Sequence, residues 1–526
     1  MRFIRVLAIL CASVALQSCG GGGGDDSGPD LGTGWQEGVF RASSNYEAKC
    51  AAPRSGNDPD GNPWPDVAGT AVDEKNWLRS WTHELYLWYD EVPDLDPATR
   101  TVADYFDLMK TSATTDSGQD KDKFHFTYPT DDWLALSESG ETIGFGLLWA
   151  LFNPDLANGP REVVVAFAES GYSGAVNGVM RGDRILAVDG VDIQDATNAG
   201  VDTLNAGLYP SEAGESHTFT IQPVGGGASH DVTLQSQSIT STPVQNVRVI
   251  NSGGAKIGYL LFNDHIEPAE AQLVDAVQQL AAADIDDLVI DIRYNGGGYL
   301  SIASELAYMV AGSAATSGKT FEQLEFNDQY SDTNPVTGEP LDPVPFFSMG
   351  QGFSVDRSTA LPTLNLSRVF VLTGEGTCSA SESIINSLRG VDVEVIQIGT
   401  TTCGKPYGFY PADNCGTTYF SIQFKGVNAK GEGDYTDGFS PQNTASGAGE
   451  SLPGCSVADD FEHALGAESE AVLAEALQYR TSGTCMATPA SASGRVGAQS
   501  VSERKVTIAK SPWHQNRILQ RPHDRR

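Results

Sequence analysis

Positive charge is what this chain has least of. Its 526 residues carry 33 Lys and Arg against 68 Asp and Glu, a formal net charge of −35. That balance leaves no basic face, so nucleic acid is excluded as a partner. Long apolar runs are scarce too. Val6 to Leu16 stands alone near the N-terminus and is too short for an ordinary spanning helix. None of the eight histidines sits in a recognisable triad motif or in a Gly-rich turn. No cysteine pair has the spacing of a zinc site. Neither a metal nor a cofactor is expected.

What is present begins with an export signal. Arg2 and Arg5 precede the apolar core, and Leu16-Gln17-Ser18-Cys19 resembles a bacterial lipobox. Cleavage there makes Cys19 a lipidated first residue, followed by Gly20 to Gly24 and a polar run to Asp30 that reads as a flexible tether. The expected location is the bacterial cell envelope. Attachment is through lipid, on the periplasmic face of the outer membrane because Gly20 rather than Asp follows the cysteine. Six cysteines remain in the body: Cys50, Cys378, Cys403, Cys415, Cys455 and Cys485. An even number in an exported chain implies disulfides, and the local pairs Cys403–Cys415 and Cys455–Cys485 are expected.

Length calls for about three domains. Trp35 to Pro65 is rich in Gly, Asn, Asp and Pro and reads as loop. Asp58 to Asn62 lacks the ligand spacing of a calcium loop and is a turn. Trp77, Leu78, Trp81, Leu85 and Trp88 form a helical stripe, and a second helix is expected over Val102 to Lys110. After Trp133 the chain changes to short strands and glycines. From Ala255 strands and helices alternate, which predicts an α/β layer. Ser313 to Leu361 is polar with little periodicity and reads as a long loop. A last helix is expected from Asp459 to Tyr479, and beyond Thr484 the composition is that of a disordered basic tail.

Chemistry concentrates in three blocks. Asp291 to Gly298 (DIRYNGGG) ends a buried strand in glycines that let backbone approach a ligand closely. It lacks the residues of a phosphate or dinucleotide loop. Ser379 lies between the apolar run Val369 to Leu372 and a helical repeat of Ala380, Ile384, Ile385 and Leu388. A serine at such a turn can face a cleft while helix N-terminal N–H groups receive negative charge. It can equally cap the helix with Glu382, and the two roles are compatible. Lys405 sits in an otherwise uncharged stretch from Ile396 to Ala412. Alone it reads as a surface lysine. As a base it must be neutral, which requires a pKa depression of roughly 2–3 units, on the order of 3–4 kcal/mol.

The order DIRYNGGG, TCSASE, CGKP resembles the C-terminal processing (tail-specific) serine proteases. In that family Ser379 falls on the nucleophile and Lys405 on the general base. Ala380 falls on one oxyanion donor, with Gly297 or Gly298 supplying the other. Two departures stand out. Phe409 replaces a glutamine that orients the lysine in many members, and Cys378 replaces the usual alanine before the serine. Further upstream, GDRILAVDG (Gly182 to Gly190) with the preceding Gly171 to Val179 resembles a PDZ domain, whose carboxylate loop falls on Phe145, Gly146 and Leu147.

The resemblance implies a multidomain α/β protein. Its parts are a signal peptide (1–19), a tether (20–34), a helical N-terminal domain (35–135), a PDZ domain (140–238), a ClpP/crotonase-like αβ Ser-Lys protease core (245–482) and the tail (483–526). It implies an endopeptidase acting on extracytoplasmic proteins or peptides read at their C-termini, with a regulatory adaptor as a further partner. A silent peptide-binding lipoprotein and a scaffold that recruits another protease are the alternatives. The coexistence of Ser379 and Lys405 favours the enzyme.

Overall fold

The computed structural model describes residues 35–486, apart from 59–60, 155, 157–158 and 446–448, and the strand Val506–Ala509. Cys19, the export signal and the tether lie outside the described residues. At the centre is a six-stranded sheet in the order Val244–Ser252, Ala255–Phe262, Asp287–Asp291, Arg368–Thr373, Glu394–Gly399, Gly454–Ser456. The first pair is antiparallel and the rest are parallel. Buried on both faces, the parallel strands read as continuous Val, Ile and Leu runs, without alternation. Helices Ala269–Ala282, Leu300–Thr316 and Ala380–Gly390 cover one face with Leu273, Val277, Leu306, Val310, Ile384 and Leu388.

The opposite face carries helix Ala471–Ser482 and a second sheet. That sheet runs His230–Gln235, Ser216–Gln222, Arg184–Val188, Glu162–Ala168, Leu147–Phe152, with Val506–Ala509 added at the Leu147–Phe152 edge. Strand alternation gives it two cores. Ala150, Phe152, Val164 and Ala166 pack toward the central sheet. Trp149, Leu151, Val163 and Val165 pack instead with Val201, Leu204 and Leu208 of helix Asn198–Leu208. The N-terminal part, with helix Ala71–Leu85, is fastened to the core by an aromatic cluster of Trp77, Trp81, Phe106 and Tyr419, and by strand Phe126–Pro129 pairing Thr417–Phe420.

Four expectations are corrected. Cys415 bonds Cys50, with a sequence separation of 365, and Cys403 bonds Cys378, so the expected Cys403–Cys415 pair does not form. The turn Asn414–Thr417 presents Cys415 to the N-terminal part, where Asn414 also accepts the Ala48 N–H. Cys455–Cys485 forms as expected. The last helix starts at Ala471, because Asp459 is drawn into a charge cluster and Glu470 caps the N–H groups of Val472 and Leu473. The 313–361 stretch is not one loop. The preceding helix extends to Thr316, and Thr320–Glu325 pairs with Phe424–Val427. Within the tail, Val506–Ala509 is a strand.

Residues 351–355 are pinned chiefly by one carboxylate, with Glu305 also accepting the Gln351 N–H. Glu270 is fully buried and accepts the N–H groups of Gln351, Gly352, Ser354 and Val355 at 2.5–3.0 Å. Desolvation pushes its carboxyl up, but the backbone donors outweigh it and hold it below its ordinary value. Burial, then the Glu270 charge, push the neighbouring Glu305 up from 4.5 to about 9. The native state thus keeps a proton on Glu305 that the unfolded chain gives up. Its stability contribution is present at low pH and is lost as pH rises from 4.5 toward 9. Glu270→Ala is expected to cost about 2–4 kcal/mol in urea unfolding. Glu305→Gln is expected to flatten the pH dependence over that window.

Candidate active site

Three loops leave the C-terminal ends of adjacent parallel strands, the place where open α/β sheets bind ligands. Each corresponds to one sequence block. The turn after Arg368–Thr373 leads to Ser379 and helix Ala380–Gly390, the loop after Asp287–Asp291 carries Gly297 and Gly298, and the loop after Glu394–Gly399 carries Lys405. Backbone and side-chain bonds tie them together. The Cys378 N–H and the Ser381 hydroxyl donate to the Asn295 carbonyl, and the Cys403 N–H donates to the Thr377 carbonyl. The Cys378–Cys403 disulfide then links the residue before the serine to the residue two before the lysine.

Ser379 adopts φ 57°, ψ −121°. A non-glycine residue there costs on the order of 1–3 kcal/mol, and such strain gathers at functional turns. It matches the sharp strand-to-helix turn that lifts a nucleophilic hydroxyl out of a sheet. Ser379 is half-buried. Gly297 lies against it. A Cβ at Gly297 would come within 2.8 Å of the Ser379 Cβ and 2.9 Å of the Ala380 nitrogen, and φ is +96°. The two glycines are not equivalent as donors. The Gly297 N–H is spent on Asn295 Oδ1 at 3.0 Å, whereas the Gly298 N–H has no hydrogen-bond partner among the described residues. Asn295 is itself held in place. Its Nδ2 donates to the Phe262 carbonyl, so its Oδ1 accepts, and His265 Nδ1 at 2.9 Å must be the donor. Burial pushes the His265 ring down to about 4, which keeps it neutral in that tautomer.

Lys405 is buried, 6% exposed. Its ammonium lies 3.9 Å from the Phe409 ring centre and 5.2 Å from that of Phe124. The residue at the position of the missing glutamine therefore meets the lysine with a ring face. Phe124, from the N-terminal part, was not singled out in the sequence, since nothing local marks it. Glu382 does more than cap. Fully buried, it accepts the N–H groups of Ser379 (3.0 Å), Gly404 (2.9 Å) and Lys405 (2.8 Å) and the Thr402 hydroxyl (2.5 Å). Desolvation, opposed by these bonds, leaves its carboxyl raised.

Phe145, Gly146 and Leu147 lie apart, at the start of the edge strand Leu147–Phe152 in the second sheet. Gly146 has φ +72° and a Cβ there would meet Tyr172 at 2.6 Å. The carbonyls of Phe145 and Gly146 accept the N–H groups of Gly174 and Glu169, while their own N–H groups have no partner among the described residues.

Residues 256–409 match the family model for peptidase family S41, a span that includes all three blocks. A carboxyl-terminal-processing protease of Picosynechococcus is 25% identical over 272 residues, 52% of this chain and 56% of that relative. The chloroplastic carboxyl-terminal-processing peptidase 1 of Arabidopsis thaliana is 25% identical over 238 residues, covering 44% and 41%. The chain thus spans about half the length of the curated relatives it matches. Among solved structures, one described as an S41 protease from Bacteroides fragilis superposes with a TM-score of 0.57 at 21% identity, over 80% of this chain and 98% of that one. Over residues 256–409 the chain is similar to peptidase family S41, and it resembles the C-terminal processing proteases.

Gly297→Ala is expected to push the Gly297–Gly298 loop off the serine turn; on the mechanism proposed below this lowers kcat by about 100-fold or more, since a displaced oxyanion donor is worth about 3 kcal/mol. The melting temperature should fall by only a few degrees. Unchanged turnover would show that this contact does not shape the site.

Proposed function

We propose, from an S41-like region whose three blocks converge at the C-terminal ends of adjacent strands of the central sheet, that this chain is a serine endopeptidase working through Ser379 and Lys405. The observation that carries the reading is the strained Ser379 turn held against the base loop by Glu382 and the Cys378–Cys403 disulfide. In this mechanism neutral Lys405 takes the Ser379 proton as the hydroxyl attacks a peptide carbonyl, and the N–H groups of Ala380 and Gly298 receive the oxyanion. Burial disfavours the lysine's charged form, while the two aromatic faces favour it. The second sheet with helix Asn198–Leu208 is read as a PDZ domain, in which the Phe145–Gly146–Leu147 turn accepts a substrate's C-terminal carboxylate and the Leu147–Phe152 edge pairs with its backbone.

Three disulfides support an extracytoplasmic setting. No helix among the described residues is long and apolar enough to cross a membrane. Attachment is assigned to lipid on Cys19 from the Leu16-Gln17-Ser18-Cys19 motif.

Purified protein is expected to cleave casein or peptides, with activity rising with pH as the lysine loses its proton and with no effect of chelators. Ser379→Ala and Lys405→Arg should both be inactive, since guanidinium stays protonated. Full activity in the arginine variant sinks the dyad, and a folded, peptide-binding, inactive wild type points to the silent binder. Peptides with a free C-terminus should bind and be cut better than amidated ones. Mature protein should fractionate with membranes, and a soluble form retaining residues before Cys19 would refute the anchor.

A further inference from the structure

We propose that the chain's own segment Val506–Ala509 occupies the peptide-recognition edge of the second sheet and competes there with substrate C-termini. The inference rests on the recognition role given above to Leu147–Phe152. Its observation is separate: Val506–Ala509 pairs antiparallel with that strand, in the register Val506–Phe152, Thr507–Leu151, Ile508–Ala150, Ala509–Trp149. Without this segment Leu147–Phe152 is the last strand of the sheet, bonded on one side only, to Glu162–Ala168. An edge of this kind is a template for whatever extended chain reaches it first.

The direction of pairing is informative. An antiparallel strand ending beside Trp149 points its C-terminal end toward Leu147 and the Phe145–Gly146–Leu147 turn. A substrate tail read by its carboxylate must lie in the same direction. Val506-Thr507-Ile508-Ala509 also has the composition of such a tail, being short, uncharged and β-branched. It differs from a true C-terminus in one respect: Lys510 follows in the sequence, so the segment ends in a peptide bond and not in a carboxylate. The segment therefore takes the backbone pairing of a ligand without its charged end, which makes it displaceable.

The tether makes occupation effective. The tail departs from Cys485, which is fixed to the core by its bond to Cys455. The 19 residues from 487 to 505 set an upper reach of roughly 65 Å, and an intramolecular competitor at such a separation in sequence acts at an effective concentration on the order of 1 mM. A segment with an intrinsic affinity of about 0.1 mM then lowers the apparent affinity of an incoming peptide about tenfold. Only substrates with a carboxylate and a well-matched apolar end would clear that threshold.

The test compares the full chain with a full-length Thr507→Pro/Ile508→Pro variant. Successive strand residues point their N–H groups to opposite sides, so one of the two prolines removes a ladder donor. Two readouts are needed. Hydrogen exchange of the amides of residues 147–152 should be slow in the wild type and at least tenfold faster in the variant. Binding of a labelled peptide ending in Val-Thr-Ile-Ala with a free carboxyl should be about tenfold tighter in the variant. If exchange is equally fast in both, or if binding is measurable and equal, the tail does not hold the edge and the proposal fails while peptide recognition stands. Slow exchange that the prolines release, with no peptide bound by either protein, overturns the recognition reading and the competition proposed here with it.

Discussion

One buried carboxylate holds the candidate site together. Glu382 projects from the first turn of the helix that Ser379 opens, yet three of its four bonds reach the base loop, to Thr402, Gly404 and Lys405. The fourth returns to the Ser379 N–H. A carboxylate with four donors avoids the full cost of burial, which for an unpaired acceptor group is several kcal/mol. The arrangement also removes freedom where catalysis can least afford it. Serine and lysine sit on different loops, and a misplacement of about 1 Å between such groups can cost a hundredfold in rate. The disulfide between Cys378 and Cys403 repeats the same constraint covalently, closing a 25-residue loop, worth roughly 3 kcal/mol on the chain-entropy account.

The glycine loop facing Ser379 is organised by different means. Here the constraint is closeness of backbone, and glycine is the only residue that permits it. Gly297 has no room for a Cβ against Ser379 and Ala380, and Gly298 has none against the His265 carbonyl. Asn295 sets the loop by spending one oxygen on both His265 and the Gly297 N–H. That choice leaves the Gly298 N–H without a hydrogen-bond partner among the described residues. A neutral, buried histidine thus does structural work in a site where a histidine would ordinarily be suspected of chemistry.

How much of this was legible in the sequence follows from the range of each interaction. The blocks DIRYNGGG, TCSASE and CGKP are local, and each lies at the end of a strand whose apolar run announces it. Their convergence follows once the strands are parallel and adjacent. The helix at Asp459 was misread because its composition is helical while its carboxylate is claimed by Arg181 and Arg293, 278 and 166 residues away. Cys403 was assigned to Cys415 by proximity in sequence, but Cys415 serves the N-terminal part and Cys403 the serine turn. Phe124 over Lys405 carries no local signal at all. Long-range partners of single side chains are what a one-dimensional reading loses.

The same charge cluster bears on how the two sheets relate. Arg181, in the block that resembles a PDZ domain, donates to Asp459 at 2.6 Å and to the Tyr294 hydroxyl at 2.5 Å. Arg293 joins Asp459 at 2.7 Å and binds Asp291 and Glu470. Tyr294 and Arg293 immediately precede Asn295, which anchors the Gly297–Gly298 loop. Burying these charges is tolerable only because each is paired, and removing one partner typically costs about 3–5 kcal/mol. Ala150, Phe152, Val164 and Ala166 add an apolar contact beneath. A junction of this kind does not swing freely. The edge strand and the serine are therefore held in one frame, joined by a buried charge cluster and an apolar contact, not by a loose linker.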